Sequence, residues 1–340
     1  MLRNPRAWLG FLISLLFLAL LLHQVDAGQI LQALAATNYL VLFPALPCYF
    51  LGVWFRTERW RCLLAPVAAL PGPRLFRYVV IGYMANNTLP LRAGELVRAY
   101  LVGRRFTLPM APLLGTIALE RVTDGLVLVG LMALAAPFTV LAGWMGQLMV
   151  AMTVLFAGGS SALILAAVAP RPLVRLAMAL LRRAPGGLRG TGESLVVGAL
   201  QGLGVLRQPK RLGAVAGFAL LCWLAEAGVF VLAGWAMGIQ LPWTAYFIAM
   251  AAANLATSLP SSQAGIGPFE YFCALTLGAF GIEPGVAAAY ALVVHAVLIL
   301  PVTLAGCVYL WTEGVSLGTA FRGASGSRRA ALAPTELGVE

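Results

Sequence analysis

Apolar runs of about 20 residues, the length a helix needs to cross a bilayer, alternate with short polar or basic segments along nearly the whole chain. Six of them are predicted as full spans, at residues 8–23, 38–55, 111–136, 145–169, 212–237 and 285–311. Two other apolar stretches are short and broken by Gly and Pro. One covers 75–86, breaks at Asn86-Asn87-Thr88-Leu89-Pro90 and resumes over 94–103. The other covers about 244–256, breaks at Ser258-Leu259-Pro260, and restarts at Pro268 to end near Gly281. Backbone that leaves a helix at membrane depth must be buried in protein or line a wet cavity, so each broken stretch is predicted to be a re-entrant helical hairpin. The fold class that follows is an all-α, polytopic membrane protein with six full spans and two re-entrant hairpins. The first run follows Arg3 and Arg6 as a signal peptide would, but no small-residue cleavage site comes after it, and it is read as the first membrane helix.

Charge orients these elements. The chain carries 23 Lys and Arg against 12 Asp and Glu, a net charge of +11. The basic residues sit in short blocks between apolar spans, which is the signature of cytoplasmic loops and argues against a nucleic-acid partner. One block is Arg56, Arg59, Arg61, Arg74 and Arg77; others are Arg104-Arg105, the stretch 171–211, and Arg322, Arg328 and Arg329. Place both termini in the cytoplasm, return the first hairpin to that side and the second to the outside. Every Lys and Arg then lies on the cytoplasmic side except Arg92, Arg98 and Arg121, which fall within a hairpin or a span. The 171–211 insertion is predicted to form one or two amphipathic helices on the membrane surface. The polar tail 313–340 is predicted to be disordered.

The same topology exposes a repeat. Each half reads span, span, hairpin, span. The second spans start near 38 and 212 and the last near 111 and 285, an offset of 174, while the hairpin motifs are 170 apart from Leu89 to Leu259. One half starts inside and the other outside. Residues 1–312 are therefore expected to form a single transmembrane domain of two inverted halves, about 5–136 and 145–312. Matched helix breaks in inverted halves point to a transport site.

The candidate chemistry concentrates at those breaks and in charged positions within the spans. The second half-helix of each hairpin begins near the bilayer centre, where free N–H groups and the helix dipole favour an anion such as a lipid phosphate. The plainer alternative is that the breaks only let the hairpins pack. Asn86, Asn87, Ser261, Ser262 and Gln263 offer neutral hydrogen bonds there, either to the broken backbone or to a headgroup. Arg92, Glu95 and Arg98 follow at i, i+3, i+6, and Glu120, Arg121 and Asp124 share one span. Neighbours at that spacing can pair, so the latter group is either an internal salt-bridge network or a ligand site. Glu226 and Glu270 lack a local partner, with Arg98 and Arg121 as candidates from other helices. Five central carboxylates against three arginines leave the interior two charges negative, so some carboxylates are protonated or they receive a cation. His295, on an apolar helix, makes either a satisfied polar contact or a proton relay. The five cysteines show no paired spacing, and the two histidines lack matching carboxylates, so no disulfide framework, metal or cofactor is expected.

At these motifs the chain resembles the flippase-like family that contains the transmembrane domain of lysylphosphatidylglycerol synthetases. Asn86, Leu89, Pro90, Arg92, Gly94, Glu95 and Arg98 match its first pattern, and Glu120, Arg121 and Asp124 its second. Pro260, Gly265, Gly267 and Glu270 match its third, with Gln263-Ala264 a departure where a Gly usually precedes Gly265. The resemblance covers about residues 5–312. It implies movement of a membrane lipid between leaflets of a prokaryotic cytoplasmic (inner) membrane, the cargo being an anionic phospholipid, an aminoacyl phospholipid or a polyprenyl-linked sugar. Substrate contact is expected from Asn86, Asn87, Arg92, Glu95, Arg98, Glu120, Arg121, Asp124, Glu226, Ser261, Ser262, Gln263, Gly265, Gly267 and Glu270. The chain ends soon after its last span, without the synthetases' aminoacyltransferase domain, so synthesis of an aminoacyl lipid is not expected of it. Two alternatives stay open: an intramembrane lipid-modifying enzyme using Glu95, Glu120 or Asp124, and an accessory scaffold for a membrane glycosyltransferase.

Overall fold

The computed structural model describes residues 5–23, 25–89, 93–138, 143–168, 204–205, 208–258 and 263–330. Among these the structure is helical throughout, with no strand. The helices are α1 (Pro5–His23), α2 (Ala27–Ala36), α3 (Tyr39–Leu42), α4 (Ala45–Leu64), α5 (Gly72–Thr88), α6 (Gly94–Phe106) and α7 (Met110–Ala135). After them come α8 (Gly143–Val168), α9 (Pro209–Ala236), α10 (Trp243–Ala256), α11 (Pro268–Ala279), α12 (Pro284–Thr312) and α13 (Leu317–Ala330). Proline opens several of them: α9, α11 and α12 each carry Pro in the first turn, where its missing N–H would have no intrahelical partner.

Among the described residues three helical stretches are long and apolar enough to cross a membrane, Tyr39–Leu64, Lys210–Ala236 and Pro284–Thr312, and the bent pair Gly10–His23 and Ala27–Ala36 makes a fourth if it counts as one span. Helix α7 has the length but carries Glu120, Arg121 and Asp124. Large apolar side chains face outward, Leu40 at 86% and Trp311 at 83% exposure, while Arg59 and Glu120 are at 0% and 1%. Charges inside and apolar groups outside is the arrangement that lipid selects, since an ionised group facing hydrocarbon is costly.

Several elements depart from the sequence expectation. Between the first two predicted spans, where no helix was expected, lies α2, which Asp26 caps by accepting the Gly28 N–H at 2.9 Å. The tail is not wholly irregular: α13 packs on α6, with Ala320 fully buried. Residues 331–340, and the surface helices expected over 171–211 apart from 204–205 and 208–211, lie outside the described residues. The largest departure is the end of the second span. The helix expected to stop at 55 continues to Leu64, so Arg56 and Arg59 extend the Gly52 face of α4 into the protein rather than forming a loop.

Helix α4 packs along α9 at the centre of the fold, and small residues allow the approach. Gly52 sits against Cys222 and Ala225, Gly228 sits against Cys48, and Cys48 Sγ lies 3.1 Å from the Ala225 carbonyl. Around this pair the packing is reciprocal. Helix α5 packs on α12 and α10 on α7, α5 pairs with α6 and α10 with α11, and α4 meets α7 as α9 meets α12.

Helices α5 and α6 form an antiparallel hairpin. The Gly94 N–H donates to Asn86 Oδ1 at 2.9 Å, and a Cβ on Gly94 would collide with the Gly82 carbonyl and the Asn86 backbone. Gly94→Ala is therefore expected to destabilise the protein by about 1–3 kcal/mol, the usual penalty of overpacking. Thermal unfolding in detergent measures this, and an unchanged midpoint would show that the hairpin opens freely. In the second hairpin, Gly267 holds a φ of 99° at the start of α11, a conformation that only glycine adopts readily.

Candidate functional site: a charged cavity between two hairpins

Between the hairpins lies a cavity of about 230 Å³. Helix α4 gives it Tyr49 and Arg56; α5 gives Tyr83, Asn86 and Asn87; α7 gives Arg121, Asp124 and Gly125. The opposite wall is Trp223 and Glu226 of α9, Asn254 of α10, the tip residues Ala264 and Gly265, Phe269 of α11 and His295 of α12. Phe156 of α8 closes one side against Gly125.

Along and behind this wall runs an ion-pair network, buried except for the partly exposed Arg121 and Glu95. Asp124 is its hub. Arg59 Nη1 donates to Asp124 Oδ1 at 2.6 Å and Arg59 Nη2 to Asp124 Oδ2 at 3.2 Å, while Trp223 Nε1 donates to Oδ1 at 3.0 Å. Arg59 Nη2 also reaches Glu120 Oε1 at 3.1 Å, and Arg98 Nη2 donates to Glu120 Oε2 at 2.9 Å. Arg56 Nη2 donates to Glu226 Oε2, and Asn254 Nδ2 to Glu226 Oε1 at 2.8 Å. Arg121 Nε donates to Glu95 Oε1 at 2.6 Å. Arg56 and Arg121 each stand 3.8 Å from Asp124. Two guanidiniums also stack on indoles, Arg98 at 4.2 Å from the Trp60 ring centre and Arg56 at 4.4 Å from that of Trp223.

Several sequence expectations change here. Arg98 does not pair with Glu95 along its own helix; each reaches across to α7. Glu226 is partnered by Arg56 and Asn254, and Glu270 by His295, so neither uses Arg98 or Arg121. The interior also holds two arginines that the charge map had assigned to a cytoplasmic loop. Among the described residues Arg56, Arg59, Arg98 and Arg121 face Glu95, Glu120, Asp124 and Glu226, and Glu270 has the imidazole. The expected negative excess is therefore absent from this network.

The hairpin tips also differ from open anion sites. The Gly94 N–H at the start of α6 is taken by Asn86 Oδ1, and the Gly267 N–H before α11 by Glu270 Oε2 at 2.7 Å. In both hairpins a side chain of the protein meets an N–H that the sequence reading had offered to a ligand. Asn87 Nδ2 meets Thr303 Oγ1 at 2.9 Å.

Of the expected substrate residues, Asn86, Asn87, Arg121, Asp124, Glu226 and Gly265 line the cavity. Glu95, Arg98 and Glu120 lie behind it in the network, and Glu270 lies behind His295. Gln263 and Gly267 are outside the lining. Arg92, Ser261 and Ser262 lie outside the described residues. Sequence reasoning missed Tyr49, Arg56, Tyr83, Trp223, Asn254 and Phe269. The clearest available signal was Arg56, one turn beyond Gly52, with neither Gly nor Pro from Val53 to Leu64.

A helical fold with an apolar exterior and ion pairs inside defines a helical membrane protein. A family model for the lysylphosphatidylglycerol synthase TM region matches residues 7–306, and the chain belongs to that family. It is also similar to a glycosyltransferase, AglD, of Haloferax volcanii, with 25% identity over 342 residues. That match covers 92% of the chain but only 55% of the relative's length.

Proposed function

We propose that this protein moves a lipid headgroup across a prokaryotic cytoplasmic membrane through the cavity between two inverted halves. The observation that carries the reading is the cavity itself, which sets Arg56, Arg121, Asp124 and Glu226 among apolar and aromatic side chains inside a bundle whose outer faces are apolar. Its roughly 230 Å³ is below the range of about 300–1,000 Å³ typical of sites for whole drug-sized ligands, so it suits a headgroup whose acyl or polyprenyl chains stay in the bilayer. Arg56 and Arg121 on its wall balance Asp124 and Glu226, which favours a headgroup carrying both signs or a polar uncharged one. Anionic phospholipid, aminoacyl phospholipid and polyprenyl-linked sugar are the classes to test.

The reciprocal packing of α5 on α12 and of α10 on α7 supports the inverted halves. The hairpin helices hold 17, 13, 14 and 12 residues. At 1.5 Å per residue these are about 18–26 Å long, short of a hydrocarbon core of about 30 Å, which supports re-entrance. Rocking of one half against the other would expose the cavity to each leaflet in turn. With purified protein in liposomes and labelled lipids of the three classes, at least one is expected to change leaflet faster than in protein-free vesicles. Equal rates for all three would sink the reading.

An accessory role beside a membrane glycosyltransferase is a second reading, favoured by the likeness to a relative of that name. Co-purification of such an enzyme, with its activity intact after Arg56→Gln, would decide for it. Catalysis within the membrane has less support, because Glu95, Glu120 and Asp124 are each held by arginine.

A further inference from the structure

His295 fastens the second hairpin at two points. Its Nδ1 meets Glu270 Oε1, in the first turn of α11, and its Nε2 lies 3.3 Å from the Ala264 carbonyl at the hairpin tip. The ring is stacked on Phe269, with centroids 4.0 Å apart, so its plane is set. The other Glu270 oxygen accepts the Gly267 N–H. The tip it holds is unusual backbone: Ala264 has a φ of 60°, and Gly265 and Gly267 follow with positive values.

Both partners of the imidazole are acceptors. A carbonyl has no proton to give, and an ionised carboxylate has none either. If the Glu270–His295 pair holds one extra proton, both contacts are satisfied, whether it sits on the ring as imidazolium or on Glu270 as the acid. Without that proton the neutral ring has a single N–H. One nitrogen then faces an acceptor with a lone pair, and the hairpin loses a fastening.

We propose that the Glu270–His295 pair is a proton-binding site that latches the tip of the second hairpin, so that proton release loosens the cavity wall formed by Ala264 and Gly265. As a step in lipid movement, this rests on the translocation reading above.

The surroundings leave the pair to act as a unit. Helices α4, α5, α9 and α11 pack on α12. Of the charged groups on these helices and on α7, those that line the cavity with His295 are Arg56, Arg121, Asp124 and Glu226, and each already has a partner of opposite sign. The cavity's other titratable groups are the phenols of Tyr49 and Tyr83; α4 adds Cys48, α9 Cys222, α11 Tyr271 and Cys273, and α12 itself Tyr290. Helix α2 also packs on α12 but brings no titratable side chain. At the tip, α1 adds Ser14 Oγ donating to the Ile266 carbonyl at 2.6 Å, a contact that does not titrate.

The chain has two histidines, so His23→Gln leaves His295 as a single imidazole signal for NMR of the full-length protein in lipid nanodiscs. That signal, followed from about pH 5 to about pH 8, is expected to change as the pair exchanges its proton and to behave differently when Glu270 is replaced by Gln. In parallel, Thr257→Cys, half-buried against Gly265 of the tip, reports tip opening to a maleimide, with a free thiol and the parent protein as references. Corrected labelling is expected to rise about tenfold, equivalent to about 1.4 kcal/mol, as the pair loses its proton. His295→Gln should remove that pH dependence. A signal unchanged across the range, or tip labelling with the same pH profile in His295→Gln, would overturn the latch. Lipid transfer in liposomes is then measured at both ends of the range and is expected to differ between them in wild type but not in His295→Gln. Transfer that is equal at both ends while the tip responds would overturn the coupling. No transfer at any pH would defeat the translocation reading, while the imidazole and tip measurements still decide the latch.

Discussion

Arg59→Met is expected to destabilise the protein by about 3–5 kcal/mol, the usual result of removing one partner from a buried ion pair. Arg59 is fully buried and serves two carboxylates from two helical turns of α7, binding Asp124 through both terminal nitrogens and Glu120 through one. Glu120 would keep Arg98. Asp124 would keep the Trp223 N–H and two guanidiniums at 3.8 Å, too far for direct hydrogen bonds. Most of the loss therefore falls on Asp124, whose charge would stay buried and poorly partnered. The measurement is unfolding of the solubilised protein by heat or denaturant. The double variant Arg59→Met, Asp124→Asn should be less destabilised than the two single changes summed, because the second substitution removes the charge that the first leaves stranded. A single variant that unfolds like the wild type would show that the network does not hold α4 to α7.

The two arginines were hard to see for a definite reason. The positive-inside rule reads basic residues after an apolar run as the start of a cytoplasmic loop. For Arg61, half-exposed and paired with Glu58 on its own helix, the helix end is indeed near. Arg56 and Arg59 carry the same local pattern but occupy the face of α4 that meets α7 and α9. Only three-dimensional packing distinguishes them. The surplus of carboxylates in the other spans was the indirect signal, since ionised groups in a membrane interior seldom stay unpaired. The hairpins were far more legible. Gly and Pro mark breaks by local backbone chemistry, and the observed helices begin or end within a few residues of each break. What those breaks could not reveal was who uses the exposed N–H groups. Asn86 and Glu270 take them through contacts within each hairpin, at separations of eight and three residues that have no distinctive sequence mark in the first case and resemble an ordinary helix start in the second.

On the proposed lipid movement, Arg56→Lys is expected to slow transfer by about tenfold or more, equivalent to at least about 1.4 kcal/mol, with a smaller effect on stability than Arg59→Met. The two arginines sit on one helix and differ in what they face. Arg59 is sealed behind the cavity, whereas Arg56 lines it. The Arg56 guanidinium sits over the Trp223 ring, donates to Glu226 and approaches Asp124, so it spans from α4 to α7 and α9. Lysine keeps the positive charge but not the planar fork that stacks and bonds on several edges at once. A point charge can satisfy Glu226 or lean toward Asp124, and it cannot hold both while stacked. The interior therefore stays electrically balanced, which limits the loss of stability, while the geometry offered to a headgroup is lost. Transfer rates in liposomes and unfolding midpoints of the same preparation separate these effects. If Arg56→Lys transfers lipid at the wild-type rate, the cavity needs only the charge at this position. If transfer and stability fall together as far as in Arg59→Met, Arg56 belongs to the structural network and not to the headgroup site.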